Sequence, residues 1–77
     1  MTSSGPPALK PRELIRALER MGFRVLRKSR GSHWQFEHPD GRRTTIPVHK
    51  GQDIGPGLLR KILRDIELDV EDLRKML

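Results

Sequence analysis

A chain of 77 residues has room for one hydrophobic core and buries only a modest share of the surface its unfolded form exposes. With 34% apolar and 34% charged residues it is too apolar for a solvated polyelectrolyte and apolar enough for a thin core under a large wet surface. It has no cysteine, which excludes disulfides, thiolate nucleophiles and the usual zinc spacings, and its net charge of +6 favours a polyanionic partner.

Taken in chain order, residues 1–9 are small, Pro-rich and without periodicity, and read as a flexible leader to a single domain over residues 10–77. MTSSGPPALK lacks the apolar segment of a signal peptide, and no apolar run approaches the about 20 residues of a membrane span, so a cytoplasmic protein without membrane contact is expected. From Pro11 onward Leu14, Ile15, Leu18 and Met21 form one stripe of a helix, with Pro11 in its first turn and Gly22 at the left-handed position that ends it. Lys10 is a poor N-cap for that helix.

After Gly22 the period drops to two. Phe23 and Val25 point one way, with Arg24, Leu26 and Lys28 the other, which predicts a short strand. Arg30-Gly31 reads as a turn. The next strand places Ser32, Trp34, Phe36 and His38 on one side and His33, Gln35 and Glu37 on the other. Trp34 and Phe36 are core by their parity, so His33 faces away from the core. Pro39-Asp40-Gly41 is turn chemistry and folds the chain back onto a third strand over residues 42–48, in which Pro47 marks an edge or a strand end.

Residues 49–57 are a loop of glycines and polar groups. A second helix starts near Pro56, with Leu58, Leu59, Ile62, Leu63 and Ile66 on one face and Arg60, Lys61 and Arg64 on the other. Asp69, Val70, Glu71 and Asp72 open a short third helix. The expected fold is α+β: a three-stranded antiparallel sheet with helices packed on one face, in the order α-β-β-β-α with a short extra C-terminal helix. Its other face is open and carries Arg24, Lys28, His33 and one of Arg42 and Arg43.

Charge is concentrated in the middle of the chain. Between residues 24 and 50 seven cations, Arg24, Arg27, Lys28, Arg30, Arg42, Arg43 and Lys50, oppose only Glu37 and Asp40. An imidazole titrates near neutrality, and arginines around His33 would hold a phosphodiester beside it. In RNA the 2′-hydroxyl is an internal nucleophile, so a base and cations to stabilise the phosphorane suffice without metal. The plainer alternative is a solvated strand histidine in a phosphate-binding surface. His49 with Lys50 and Gly51 can bind phosphate through the lysine and exposed backbone N–H groups, or be a polar loop only. His38, in the turn, is assigned to structure. The three histidines form no recognisable metal set, and no metal or cofactor is expected.

Four blocks carry a family resemblance: KPRELIRALERMGF from Lys10, RGSHWQF from Arg30, TIPVHKG from Thr45 and GLLRKIL from Gly57. In this order and at these spacings they resemble the HicA toxins of bacterial toxin–antitoxin pairs, over roughly residues 10–77. The resemblance implies a double-stranded-RNA-binding-domain-like fold used as a ribonuclease against mRNA, with His33 of the Gly-Ser-His block catalytic and a HicB-type antitoxin covering it. The expectation is a metal-independent endoribonuclease, monomeric when free. A single histidine, His33, serves as general acid/base, and RNA is bound by Ser32, Lys28, Arg30, Arg42, Arg43, His49 and Lys50. Two other classes compete: a non-catalytic RNA-binding module that reads duplex shape and phosphates, and a DNA-binding domain. The second lacks Asn or Gln for base edges on the helix from Pro56.

Overall fold

The computed structural model describes residues 8–29 and 32–77. Its element order is α1 (Pro11–Arg20), β1 (Arg24–Lys28), β2 (His33–Glu37), β3 (Arg43–Pro47), α2 (Pro56–Asp65) and α3 (Val70–Arg74). This is the expected α+β architecture.

Helix α1 forms on its apolar stripe, burying Leu14, Ala17 and Leu18. The weak N-cap is compensated from inside the helix: the Glu13 carboxylate accepts from the backbone N–H of Lys10 at 2.9 Å. Pro11, first in the helix, has no N–H to leave unpaired. The helix stops where Gly22 takes φ +100°, and a Cβ there would stand 3.0 Å from Nε2 of His38. Residue 9, read in the sequence as leader, is part of the packed structure. Leu9 is buried and exchanges backbone hydrogen bonds with Ile54 at 3.1 and 2.6 Å, because an apolar side chain adjoining the core gains more from burial than from solvation. Residues 1–7 of that leader lie outside the described residues.

The three strands lie in the order β1-β2-β3, antiparallel throughout. Between β2 and β3 the partners run from His33 opposite Pro47 to Glu37 opposite Arg43. Between β1 and β2 the register shifts between Val25 and Arg27, which leaves Leu26 as the extra residue of a bulge. That corrects the parity expected for β1. Arg24 faces Glu37 and Arg27 faces Gln35 on one side of the sheet, while Lys28 faces Trp34 on the other. At the β2–β3 turn the Gly41 N–H donates to the His38 carbonyl at 2.9 Å, and Gly41 takes φ +98°, as its sequence requires. Pro47 is the last residue of an edge strand, where the missing donor disturbs no ladder.

One face of the sheet is covered. Phe36 and Ile46 are fully buried with Leu14, Leu18, Leu59, Ile62, Ile66 and Leu73, and each such side chain contributes about 1.5–3 kcal/mol of transfer free energy. Helix α2 packs over β3, burying Leu59, Ile62 and Leu63 and turning Arg60, Lys61 and Arg64 outward. At α3 Asp69 and Asp72 cap one another through their backbone N–H groups, at 2.8 and 3.2 Å. Among the described residues no helix is long and apolar enough to cross a membrane.

Candidate active site and nucleic-acid face

The uncovered sheet face presents, by register, Arg24 and Arg27 from β1, His33, Gln35 and Glu37 from β2, and Arg43, Thr45 and Pro47 from β3. Three arginines thus face one carboxylate. Glu37 is engaged by Arg43 at 2.7 Å; the guanidinium is two-thirds exposed and remains open to a phosphate. Arg27 opposes Gln35, two residues along β2 from His33 and on the same side, a diagonal neighbour at about 7–8 Å in an antiparallel sheet.

His33 is exposed, on the opposite side of β2 from Trp34 and Phe36. Its backbone is fixed at both edges: its carbonyl accepts from Ser29 N–H at 2.9 Å, and it pairs with Pro47. The ring stands 6.1 Å from that of His49, centroid to centroid, at an interplanar angle of 84°. His49 is held in turn by Ser32, whose hydroxyl lies 2.9 Å from Nδ1 and 3.2 Å from Nε2. One residue before it, the Val48 N–H donates to the Ser32 carbonyl at 2.6 Å. Ser32 and His33 therefore meet Val48 and His49 at one end of the sheet, although the β2–β3 hairpin separates them in the sequence, with exposed Lys50 next in the chain.

The remaining expected site residues divide. Lys28 is on the helix side of the sheet, its ammonium 4.1 Å from the centroid of the Trp34 ring, because the bulge at Leu26 reverses its parity. Arg42 precedes β3 and is used by the fold: Nε bonds Asp40 at 2.8 Å, Nη1 donates to the Ile66 carbonyl at the end of α2 at 2.8 Å, and the guanidinium lies over Phe23. Both leave the set expected on the open face. Arg30 lies outside the described residues.

His38 has the structural role expected of it. Its Nδ1 accepts from the Asp40 N–H at 3.1 Å, which leaves Nε2–H to donate to the Met21 carbonyl at 3.0 Å, and its ring packs edge-on against Phe23. It ties the end of α1 to the β2–β3 turn. Asp40 is held below the usual carboxylate range, first by the Arg42 backbone N–H it accepts and then by the Arg42 side chain.

Sequence reasoning missed two features. Arg27 replaces Lys28 on the open face. On the helix side, a groove between α1 and the loop after β3 is lined by Arg12, Arg16, Trp34, Val48, His49 and Lys50. Arg12 and Arg16 are four apart on α1, which signals a shared helix face. Trp34 packs against the core as its parity demands, yet remains half-buried and borders this groove, so one side of the ring meets solvent. Among the described residues no group of three or more His, Asp or Glu side chains is placed to hold a metal ion.

Residues 11–68 match the family model described as the HicA toxin of bacterial toxin–antitoxin. No curated protein matches the chain.

Proposed function

Because the chain belongs to the HicA toxin family of bacterial toxin–antitoxin systems, we propose that it is an endoribonuclease that cleaves mRNA without a metal, and that a HicB-type antitoxin silences it. The observation that carries this reading is His33: an exposed imidazole on a rigid strand, on the open face that also presents Arg24, Arg27 and Arg43. Arg27, opposite Gln35 and diagonal to His33, supports a phosphate held beside the imidazole, while Arg24 and Arg43, opposite Glu37 four residues farther along β2, extend the positive charge along the bound strand.

The chemistry needs only what this face and RNA supply. His33 takes the proton of the 2′-hydroxyl, the 2′-oxygen attacks phosphorus, and the bond to the 5′-oxygen breaks; that oxygen takes a proton from an acid at the site or from water, which leaves a 2′,3′-cyclic phosphate and a 5′-hydroxyl. Arg27 and Lys50 neutralise the charge that grows on the phosphorane, and Arg43 holds the flanking strand. Ser32 and His49 complete the contact to the strand. Arg42 stays with the fold. The antitoxin that fits such a face is acidic, which speeds its association and displaces RNA by charge.

The test is cleavage of a labelled mRNA fragment by purified wild type and His33→Ala. The substitution is expected to lower the rate by at least about 10²-fold with melting temperature and RNA affinity nearly unchanged, since the residue is exposed. Wild-type cleavage by the variant overturns the assignment. If wild type only shifts intact RNA, with a steep salt dependence, the protein is a binding module.

A further inference from the structure

We propose that His49 is the second acid–base group of the site: the general acid that protonates the leaving 5′-oxygen while His33 serves as base. This rests on the ribonuclease reading above and turns a one-histidine site into a pair.

Of the three histidines, His38 has both ring nitrogens committed to backbone groups of the fold. His33 and His49 are both exposed, and their rings are 6.1 Å apart and nearly perpendicular. That spacing fits a shared phosphodiester. The attacking and leaving oxygens of an in-line displacement flank phosphorus on opposite sides, and each is served by a nitrogen at about 2.6–3.2 Å. Two imidazoles stacked face to face, or a dozen ångströms apart, would serve only one of them.

The position of His49 is built in. The backbone bond from Val48 to Ser32 docks its segment against the start of β2, and the Gln52 N–H donates to the His49 carbonyl at 3.2 Å, closing the turn that follows. The hydrogen bond between the Ser32 hydroxyl and ring Nδ1, at 2.9 Å, fixes the tilt of the ring. Ser32 is thus a positioning residue, adjacent in sequence to the base and in contact with the acid. His49 also borders the groove carrying Arg16, Lys50 and Asp53, so the strand leaving the scissile phosphate on the 5′-oxygen side has a path from the sheet face toward α1.

Protons balance within one turnover. His33 gains the proton of the 2′-hydroxyl, His49 gives one to the 5′-oxygen, and exchange with water restores both rings. Bond making to the 2′-oxygen and bond breaking to the 5′-oxygen occur at the same phosphorus.

The test uses an RNA oligonucleotide containing the linkage that wild type cleaves, made either with the normal 5′-oxygen or with sulfur in its place. A thiolate leaves without protonation, so the sulfur linkage needs a base but no acid. His49→Ala, with His49→Gln as a second variant, is expected to lose at least about 10²-fold on the oxygen linkage and to return to within about threefold of wild type on the sulfur linkage. His33→Ala is expected to stay slow on both. Full activity of the His49 variants on the oxygen linkage overturns the proposal, as does an equal loss on both linkages, or rescue of His33→Ala instead. Inactive His33→Ala beside fully active His49 variants removes only the pair. If wild type cleaves neither linkage, or His33→Ala cleaves like wild type, the ribonuclease reading falls and the pair with it.

Discussion

The ammonium of Lys28 sits 4.1 Å from the centroid of the Trp34 ring, on the helix side of the sheet, while its neighbour Arg27 faces Gln35 on the open side. Two adjacent cations are thereby divided between packing and the charged face by one bulged residue, Leu26.

Arg27→Ala is expected to weaken RNA binding alike across sequences and to reduce the slope of log affinity against log salt by about 1, with an unchanged melting temperature. Lys28→Ala is expected to act mainly on the fold. An exposed cation–π contact contributes about 0.5–1 kcal/mol, which lowers the melting temperature of a domain this size by about 2–8 °C. Salt titrations and melting curves on the two variants check this, and a larger salt-slope change for Lys28→Ala than for Arg27→Ala contradicts the placement.

Arg42 and Arg43 offer a second adjacent pair with opposite roles. Removing the Arg42 side chain takes away its bonds to Asp40 and to the Ile66 carbonyl together with its cover over Phe23, so Arg42→Ala is expected to destabilise by about 1–3 kcal/mol. Arg43 makes an exposed pair with Glu37, of a kind that contributes about 0–1 kcal/mol, so Arg43→Ala is expected to leave stability near wild type and lower the salt slope of RNA binding. Denaturant melts with parallel binding titrations separate the two. Equal stability of both variants removes the structural role given to Arg42.

Asp40 gives the fold a component of acid sensitivity. Its carboxyl titrates lower in the folded chain than in the unfolded one, because the Arg42 backbone N–H and then its guanidinium favour the carboxylate. The unfolded chain therefore binds the proton first as pH falls. The resulting stabilisation is present above the ordinary aspartate value of about 4 and is lost as pH drops through the lower folded value. Melting temperatures of wild type and Asp40→Asn are expected to differ near neutrality and converge on acidification. A gap that stays constant down to the acid limit contradicts this linkage.

Much of the architecture was legible in the chain because it is local. Leu14, Leu18 and Met21 repeat with the helical period, Trp34 and Phe36 with the strand period, and Gly22 and Gly41 stand where positive φ is needed. Alternation within β2 was enough to put His33 on the side away from Phe36. The apolar Leu26 hid the bulge: an extra residue in β1 leaves the local pattern readable in either parity and appears only when β1 is aligned against β2.

What the sequence alone determined is therefore the kind and order of elements, the concentration of positive charge in residues 24–50 and the outward direction of His33. Each follows from residue type and a spacing of a few positions. Tertiary structure decided which cations share that face, that Arg42 belongs to the end of α2, and that His49 lies beside His33. These depend on strand register and on hairpin closure, which bring together groups 16 to 24 residues apart and leave no periodic trace in the chain.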